Sequence, residues 1–280
     1  MTLRILLASL VLSVTTSAFP AQSKPTPALA FEVATIKPSD PEKVGGSLMM
    51  SEGHFETRGQ TLGALIKFAY GLTMGTDQQL SGGPKWMSTE KFDIDAKEDE
   101  QTAAALKAMP REESTRTVRQ MVAVLLADRF GLVVHKESKV LPVYALVVAK
   151  GGSKMTLSED TPPNSGAKDP RTWSGIRGGG RGQLEAHNCT MGMFSGVVAG
   201  QPESGGRLVV DQTNLLGKYN FTLKWTPESS SGAPDPVAAA ESTAPPFLTA
   251  LQEQLGLKLE PTHAPVDTIV VDAAVMPTAN

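Results

Sequence analysis

The chain has 280 residues, with 26 basic side chains against 29 acidic ones, a net charge of −3 and one cysteine. This size allows one large or two modest domains, and the charge balance gives no electrostatic footprint for nucleic acid. With 40% apolar and 20% charged residues it is neither a membrane bundle nor a disordered acidic tail, and lone Cys189 excludes a disulfide framework or a multi-cysteine zinc site.

Met1–Arg4 is a short, positively charged start, followed by the apolar run Ile5–Val14 and the small residues Thr15–Ala18. A bilayer-crossing helix needs about twenty apolar residues, so this run is too short to be one. The pattern predicts a signal peptide over residues 1–21, cut after about Ala18 or Ala21. No cysteine lies near the cut, and no later stretch reaches membrane length. The mature protein is expected to be exported, to the periplasm or outside the cell.

Residues 28–150 read as a first α+β unit. Thr61 is placed to cap a helix carrying Leu62, Leu65, Ile66 and Ala69, with Gly71 after it. Lys91–Ala96 alternates as a strand with one wet face. A second helix over about Thr115–Phe130 presents Val118, Met121, Val122, Leu125, Leu126 and Phe130, and closes at Gly131. Leu132–Val134 and Val143–Val148 are predicted as strands joined through a polar turn at Lys136–Lys139.

Residues 151–181, rich in glycine and proline, read as an exposed linker. Residues 182–276 repeat the plan: a strand, a Thr190-capped helix with Met191, Phe194 and Val198 inward, and strands at Arg207–Asp211 and Tyr219–Trp225. A helix over Pro246–Leu255 stops at Gly256, followed by strands Leu257–Leu259 and Thr268–Val271. Residues 227–245 read as a mobile loop, placed about where Lys97–Glu113 sits in the first unit.

The two units share residues at nearly fixed offsets. Gly53, Glu56, Thr61 and Gly63 recur as Gly182, Glu185, Thr190 and Gly192, an offset of 129. Arg129–Val134 recurs as Gln254–Leu259 at 125, and Pro142–Ala149 as Pro265–Asp272 at 123. Drift of this kind is the mark of a diverged internal duplication. The fold class expected is α+β, two similar repeats of antiparallel strands, each with about two packed helices.

The chemistry-bearing residues form no reactive constellation. His54, His135, His187 and His263 are scattered, without the spacing that sets two metal ligands on one helix face; no metal site and no cofactor is expected. Ser88-Thr-Glu-Lys91 matches the Ser-x-x-Lys pattern, but it leads into a strand, so the lysine does not sit over the serine. Cys189 precedes a helix start, where amide dipoles can lower a thiol pKa, but its counterpart is Gln60, which reads as a tolerated or buried thiol. Asp93 and Asp95 share a strand face and could serve as an acid–base pair, although alternating Asp on a solvated face is commoner. Asp211 and Asp272 read as turn caps. Gly178–Gly182 lacks either nucleotide-binding glycine spacing. Asn188-Cys-Thr190 and Asn220-Phe-Thr222 are glycosylation tripeptides by pattern. Trp86 and Trp225 are the aromatic candidates for ligand contact, with core packing as the competing role.

Several longer strings are distinctive: Phe31–Pro38, Leu65–Leu72, Gly83–Trp86, Phe92–Ala96, Leu125–Leu132, Pro142–Lys150, Val210–Phe221 and Leu251–Leu257. With these the chain resembles, over about Phe31 to Val275, a soil-associated family abundant in acidobacteria and known as domain of unknown function 3738. The resemblance implies export and an unassigned role, and brings no catalytic residues; related domains are sometimes joined to membrane-bound metallopeptidase sensors. The strand–capped helix–Gly-Leu–strand unit is also similar to the short N-terminal modules of secretins and TonB-dependent receptors, an analogy at the level of fold.

The expected function is a non-catalytic binding or interaction module that receives a protein, peptide or cell-envelope ligand at its sheet edges or at the seam between repeats. The alternative is a hydrolase of an envelope or soil polymer, with a site between the repeats. Clustering of His54, His187, Asp93 or Asp211 in a cleft would favour the hydrolase.

Overall fold

The computed structural model describes residues 30–40, 42, 45–51, 53–74, 76–158, 175–178, 182–227 and 244–278. The expected signal 1–21, residues 159–174 and 179–181 of the expected linker, and residues 228–243 of the expected mobile loop lie outside them. In chain order the elements are β1 (Val33–Pro38), β2 (Ser47–Ser51), β3 (His54–Thr61), α1 (Leu62–Ala69), β4 (Leu80–Gly82), β5 (Lys91–Lys97), α2 (Glu100–Ala108), α3 (Arg111–Phe130) and β6 (Val133–Val148). Then follow β7 (Thr156–Leu157), β8 (Gly175–Gly178), β9 (Gln183–Cys189), α4 (Met191–Ala199), β10 (Val209–Asp211), β11 (Tyr219–Lys224), α5 (Phe247–Ala250) and β12 (Leu257–Ala273). The described residues form a mixed α+β fold with five helices and three largely antiparallel sheets.

The first sheet has the order β1-β5-β3-β2 and is antiparallel throughout. Alternation decides its faces: Phe55 and Thr57 of β3 and Phe92, Ile94 and Ala96 of β5 are buried, while the residues between them are not. Leu62, Leu65 and Ile66 of α1 and Met121, Val122 and Leu126 of α3 cover that inner face. The Thr61 hydroxyl accepts a hydrogen bond from the Ala64 amide at 3.2 Å and so starts α1. Gly131, left-handed, ends α3.

The third sheet has the order β7-β11-β9-β8 and is also antiparallel. Leu184, Ala186, Phe221 and Leu223 face inward against Phe194 and Val198 of α4 and Phe247 of α5. Thr190 caps α4 from Met193 at 3.2 Å. The chain continues from α5 as a π-helical turn, Leu251–Leu255, and stops at Gly256, again left-handed. Both outer sheets break register at one place in the middle pair: between Thr57 and Gln60 in one, between Tyr219 and Phe221 in the other. A residue of positive φ sits beside each break, Gly59 at +63° and Asn188 at +48°.

The central sheet runs β10-β6-β12-β4 and departs from the sequence reading. Lys136–Lys139 is not a turn: β6 continues through it as one strand, and Leu257–Leu259 and Thr268–Val271 are parts of one strand, β12. Lys-Glu-Ser-Lys is polar but holds no residue that imposes a reversal; each of the four pairs with β12, from Ile269 to Val266. Pro142, Pro261 and Pro265 fit because β10 covers only Tyr144–Leu146 of β6, and β4 only Ile269–Val271 of β12. Beyond those patches each proline's missing amide faces an edge that no described strand pairs with.

β4 pairs parallel with β12 and β10 pairs parallel with β6. Residues 28–150 and 182–276, expected as separate units, therefore exchange strands and meet in one shared sheet. The expected linker also contributes β7 and β8 to the third sheet, and α2 occupies part of Lys97–Glu113, where the sequence reading places no helix. Asp99 caps α2 through the Thr102 amide at 2.9 Å.

Candidate functional site

The outer face of the first sheet gathers a set of titratable groups. Strand alternation brings His54, Glu56 and Arg58 of β3 beside Asp93 and Asp95 of β5. His54 Nε2 lies 2.9 Å from Asp95 Oδ1, and the Arg58 guanidinium 2.7 Å from Glu56 and 3.8 Å from Asp95. The hydrogen bond to His54 is the main cause holding the Asp95 carboxyl below its ordinary pKa. Burial acts to raise the Asp93 pKa, but the Ser39 hydroxyl (2.6 Å) and Gly59 amide (2.9 Å), with the charges of Arg58 and Lys37, outweigh it and leave it lowered. A nucleophilic triad needs a buried carboxylate and a hydroxyl on the far nitrogen of the histidine. Asp95 is instead 39% exposed on the sheet face, unlike the buried carboxylate of such a triad.

Glu98, which sequence reasoning passed over, sits just past β5. It is 9% exposed, its Oε2 has no hydrogen-bond partner among the described residues, and burial raises its pKa. The inward parity of Phe92, Ile94 and Ala96 extends to it, which is the signal that could have found it.

The remaining sequence candidates are dispersed. His135 pairs with Asp272 at 2.9 Å and His187 with Glu185 at 2.9 Å, both on sheet faces. His263 is exposed in β12 opposite Pro142. Asp211 accepts from the Thr213 amide and hydroxyl at 2.9 and 2.7 Å and so turns the chain, as its sequence position suggests. His54, His187, Asp93 and Asp211 thus each have their own partners. Ser88 donates to the Lys85 carbonyl at 3.1 Å, while Lys91 opens β5. Cys189 is fully buried and its thiol is pushed up to about 12 by burial, far from a reactive thiolate. The Asn220 side chain accepts from the Asn188 amide at 2.8 Å. Among the described residues no group of three or more His, Cys, Asp or Glu could hold a metal ion.

Of the two tryptophans, Trp225 is 2% exposed and packs edge-on to Phe247 at 5.2 Å, so it offers no face to a ligand. Trp86 is half-buried and stacks on Phe130 at 6.5 Å. No helix among the described residues is long and apolar enough to cross a membrane.

The chain belongs to the family described as protein of unknown function (DUF3738), whose family model matches residues 63–274. No curated protein and no solved structure matches it.

Proposed function

We propose that the mature chain is an exported, non-catalytic binding module built from two copies of one α+β unit, which receives a protein, peptide or cell-envelope ligand along a sheet edge. The observation that carries this reading is the agreement between the two outer sheets, which among the described residues end in open edges and hold no assembled reaction centre. Exchanging each strand of β1-β5-β3-β2 for its counterpart yields β7-β11-β9-β8. The same exchange turns the central sheet into itself, read backwards.

Support for the repeat extends to single hydrogen bonds. The Ile269 amide donates to the Gln79 carbonyl and the Tyr144 amide to the Leu208 carbonyl, both at 2.8 Å. Gly59 donates to the Asp93 side chain and Asn188 to the Asn220 side chain, at 2.9 and 2.8 Å. From Gln79 to Leu208 and from Gly59 to Asn188 the offset is 129, the value shared by the Gly53 and Gly182 strings. Adding a strand to a sheet edge is a mode of recognition that such a layer offers without a cavity. Export rests on the residue 1–21 pattern.

The test immobilises the mature protein, incubates it with periplasmic extract, identifies retained components by mass spectrometry and remeasures binding with the purified component. The same preparation is assayed against envelope and soil polymers. Saturable binding without turnover is the expected result. Turnover of a polymer with no retained partner overturns the reading.

A further inference from the structure

β2 is the outermost strand of the first sheet, and its five residues read Ser-Leu-Met-Met-Ser. Folded proteins protect such edges with charge, proline, bulges, short strands or a cover. The other edges here have these devices. β1 carries Lys37 and Pro38, and Arg129 reaches the Ala34 carbonyl at 3.3 Å. β8 carries Arg177, with positive-φ glycines at both ends, and β7, β4 and β10 have three residues or fewer. β2 has none of them. It is uncharged, pairs with β3 in unbroken register over all five residues, and has no neighbour on its outer side among the described residues. Met49 is 59% exposed and Met50 44%.

The strand is nearly a palindrome. Laid antiparallel on a second β2 about Met49, it sets Met49 against Met49, Leu48 against Met50 and Ser47 against Ser51. A two-fold interface places one patch against itself, so a charged edge would meet its own charge; this edge carries none. Leu48 and Met50 pair with Thr57 and Phe55, whose side chains face the core. Two Leu48–Met50 contacts would therefore extend the first apolar layer across the axis.

We propose that two copies of this chain associate through β2, antiparallel about Met49, to join their first sheets into one eight-stranded sheet. The proposal rests on the reading of the chain as a module that binds by strand addition, and it assigns the β2 edge to a second copy.

Sedimentation of the mature chain over a range of concentrations should show a reversible dimer. Met49→Lys should raise its dissociation constant by about tenfold or more, since like charges directly opposite repel. Val33→Lys, on the opposite edge and 57% exposed, should leave it unchanged; circular dichroism checks that both variants fold. Under mild oxidation Met49→Cys should form a covalent dimer and Val33→Cys should not, and Cys189, being fully buried, adds no background. A chain that stays monomeric, a dimer indifferent to Met49→Lys, or a Met49→Cys that does not cross-link overturns the proposal. A monomer that still binds an envelope component would overturn self-pairing alone, whereas a β2 dimer that turns over a polymer and retains no partner would overturn the binding-module reading alone.

Discussion

Glu98 and Trp225 hold corresponding places at the ends of the two outer sheets. Each donates its backbone amide to the glycine just before the middle strand, Glu98 to Gly53 at 3.3 Å and Trp225 to Gly182 at 2.8 Å. Each also continues the buried parity of its strand, after Ile94 and Ala96 in one case and Phe221 and Leu223 in the other. The contents differ. Trp225 brings a large apolar ring onto Phe247, while Glu98 brings a carboxyl with one oxygen unpartnered among the described residues. The ladder therefore sets the burial of the position, and the residue placed there decides whether that burial stabilises or costs.

The contrast is tested first where it is largest. Trp225→Ala should lose about 3–5 kcal/mol, the range for removing a large aromatic from a core, read by urea unfolding. Glu98→Ala should lose far less. Equal losses would break the comparison, because they would mean that both side chains only fill space.

The two left-handed helix ends differ next. A Cβ on Gly256 (φ +70°) would lie 1.9 Å from the Gly152 carbonyl oxygen, in a loop tied down by the Ala149 and Lys154 amides bonded to Gly256 and Leu255 at 2.8 and 3.0 Å. A Cβ on Gly131 would meet only a Val275 methyl, at 3.2 Å. Gly256→Ala should cost about 3 kcal/mol or more, and Gly131→Ala about 1–2 kcal/mol for the left-handed backbone alone. Thermal melts of the two variants give the difference.

Glu98→Gln sharpens the comparison through pH. Burial raises the folded-state pKa of Glu98; beside it the His54 charge lowers it and the Asp99 charge raises it. At low pH both folded and unfolded chains hold the proton, and burial carries no charge penalty. As pH rises, the unfolded chain ionises first and the folded state loses stability until its own pKa is passed. Wild type and Glu98→Gln should therefore coincide at acid pH and separate by about 1 kcal/mol near neutrality, the variant being the more stable. The depressed pKa values of Asp93 and Asp95 act in the opposite direction, with stability lost as pH falls, but they are common to both proteins and cancel in the difference. A gap that is independent of pH would mean that Glu98 has the same pKa in the folded and unfolded chains, and so bears no burial penalty.

Local chemistry made much of this fold legible. Thr61 and Thr190 announced helix starts, Gly131 and Gly256 announced stops, and alternation separated the faces of β5. Errors arose where a residue's neighbour is distant in sequence. Lys136–Lys139 looked like a turn because the strand that makes it extended, β12, lies more than a hundred residues on. α2 was missed because its nine residues bury little beyond Thr102 and Leu106. The exchange of β4 and β10 leaves no local trace, and neither does the His54–Asp95 pair, 41 residues apart. Trp225 was a contact candidate because aromatic composition alone does not distinguish a core ring from an exposed one.

The smallest effect lies at the two register breaks. At Gly59 the space that a side chain needs is filled, since a Cβ there would lie 2.5 Å from the Gly45 carbonyl oxygen. Asn188 carries a side chain in the same backbone conformation, and its carbonyl oxygen accepts a hydrogen bond from Ser158. Asn188→Gly relieves the positive-φ strain but gives up that bond. Relief is worth about 1 kcal/mol, the low end for a left-handed residue because Asn tolerates that region, and a side-chain hydrogen bond about 0.5–1.5 kcal/mol, so the net change should stay within about 0.5 kcal/mol. The backbone amide still reaches Asn220, so the bulge itself should persist. Urea unfolding of this variant measures which term dominates; a loss above about 1.5 kcal/mol would mean that the Ser158 bond, and not the bulge geometry alone, holds β7 to the third sheet.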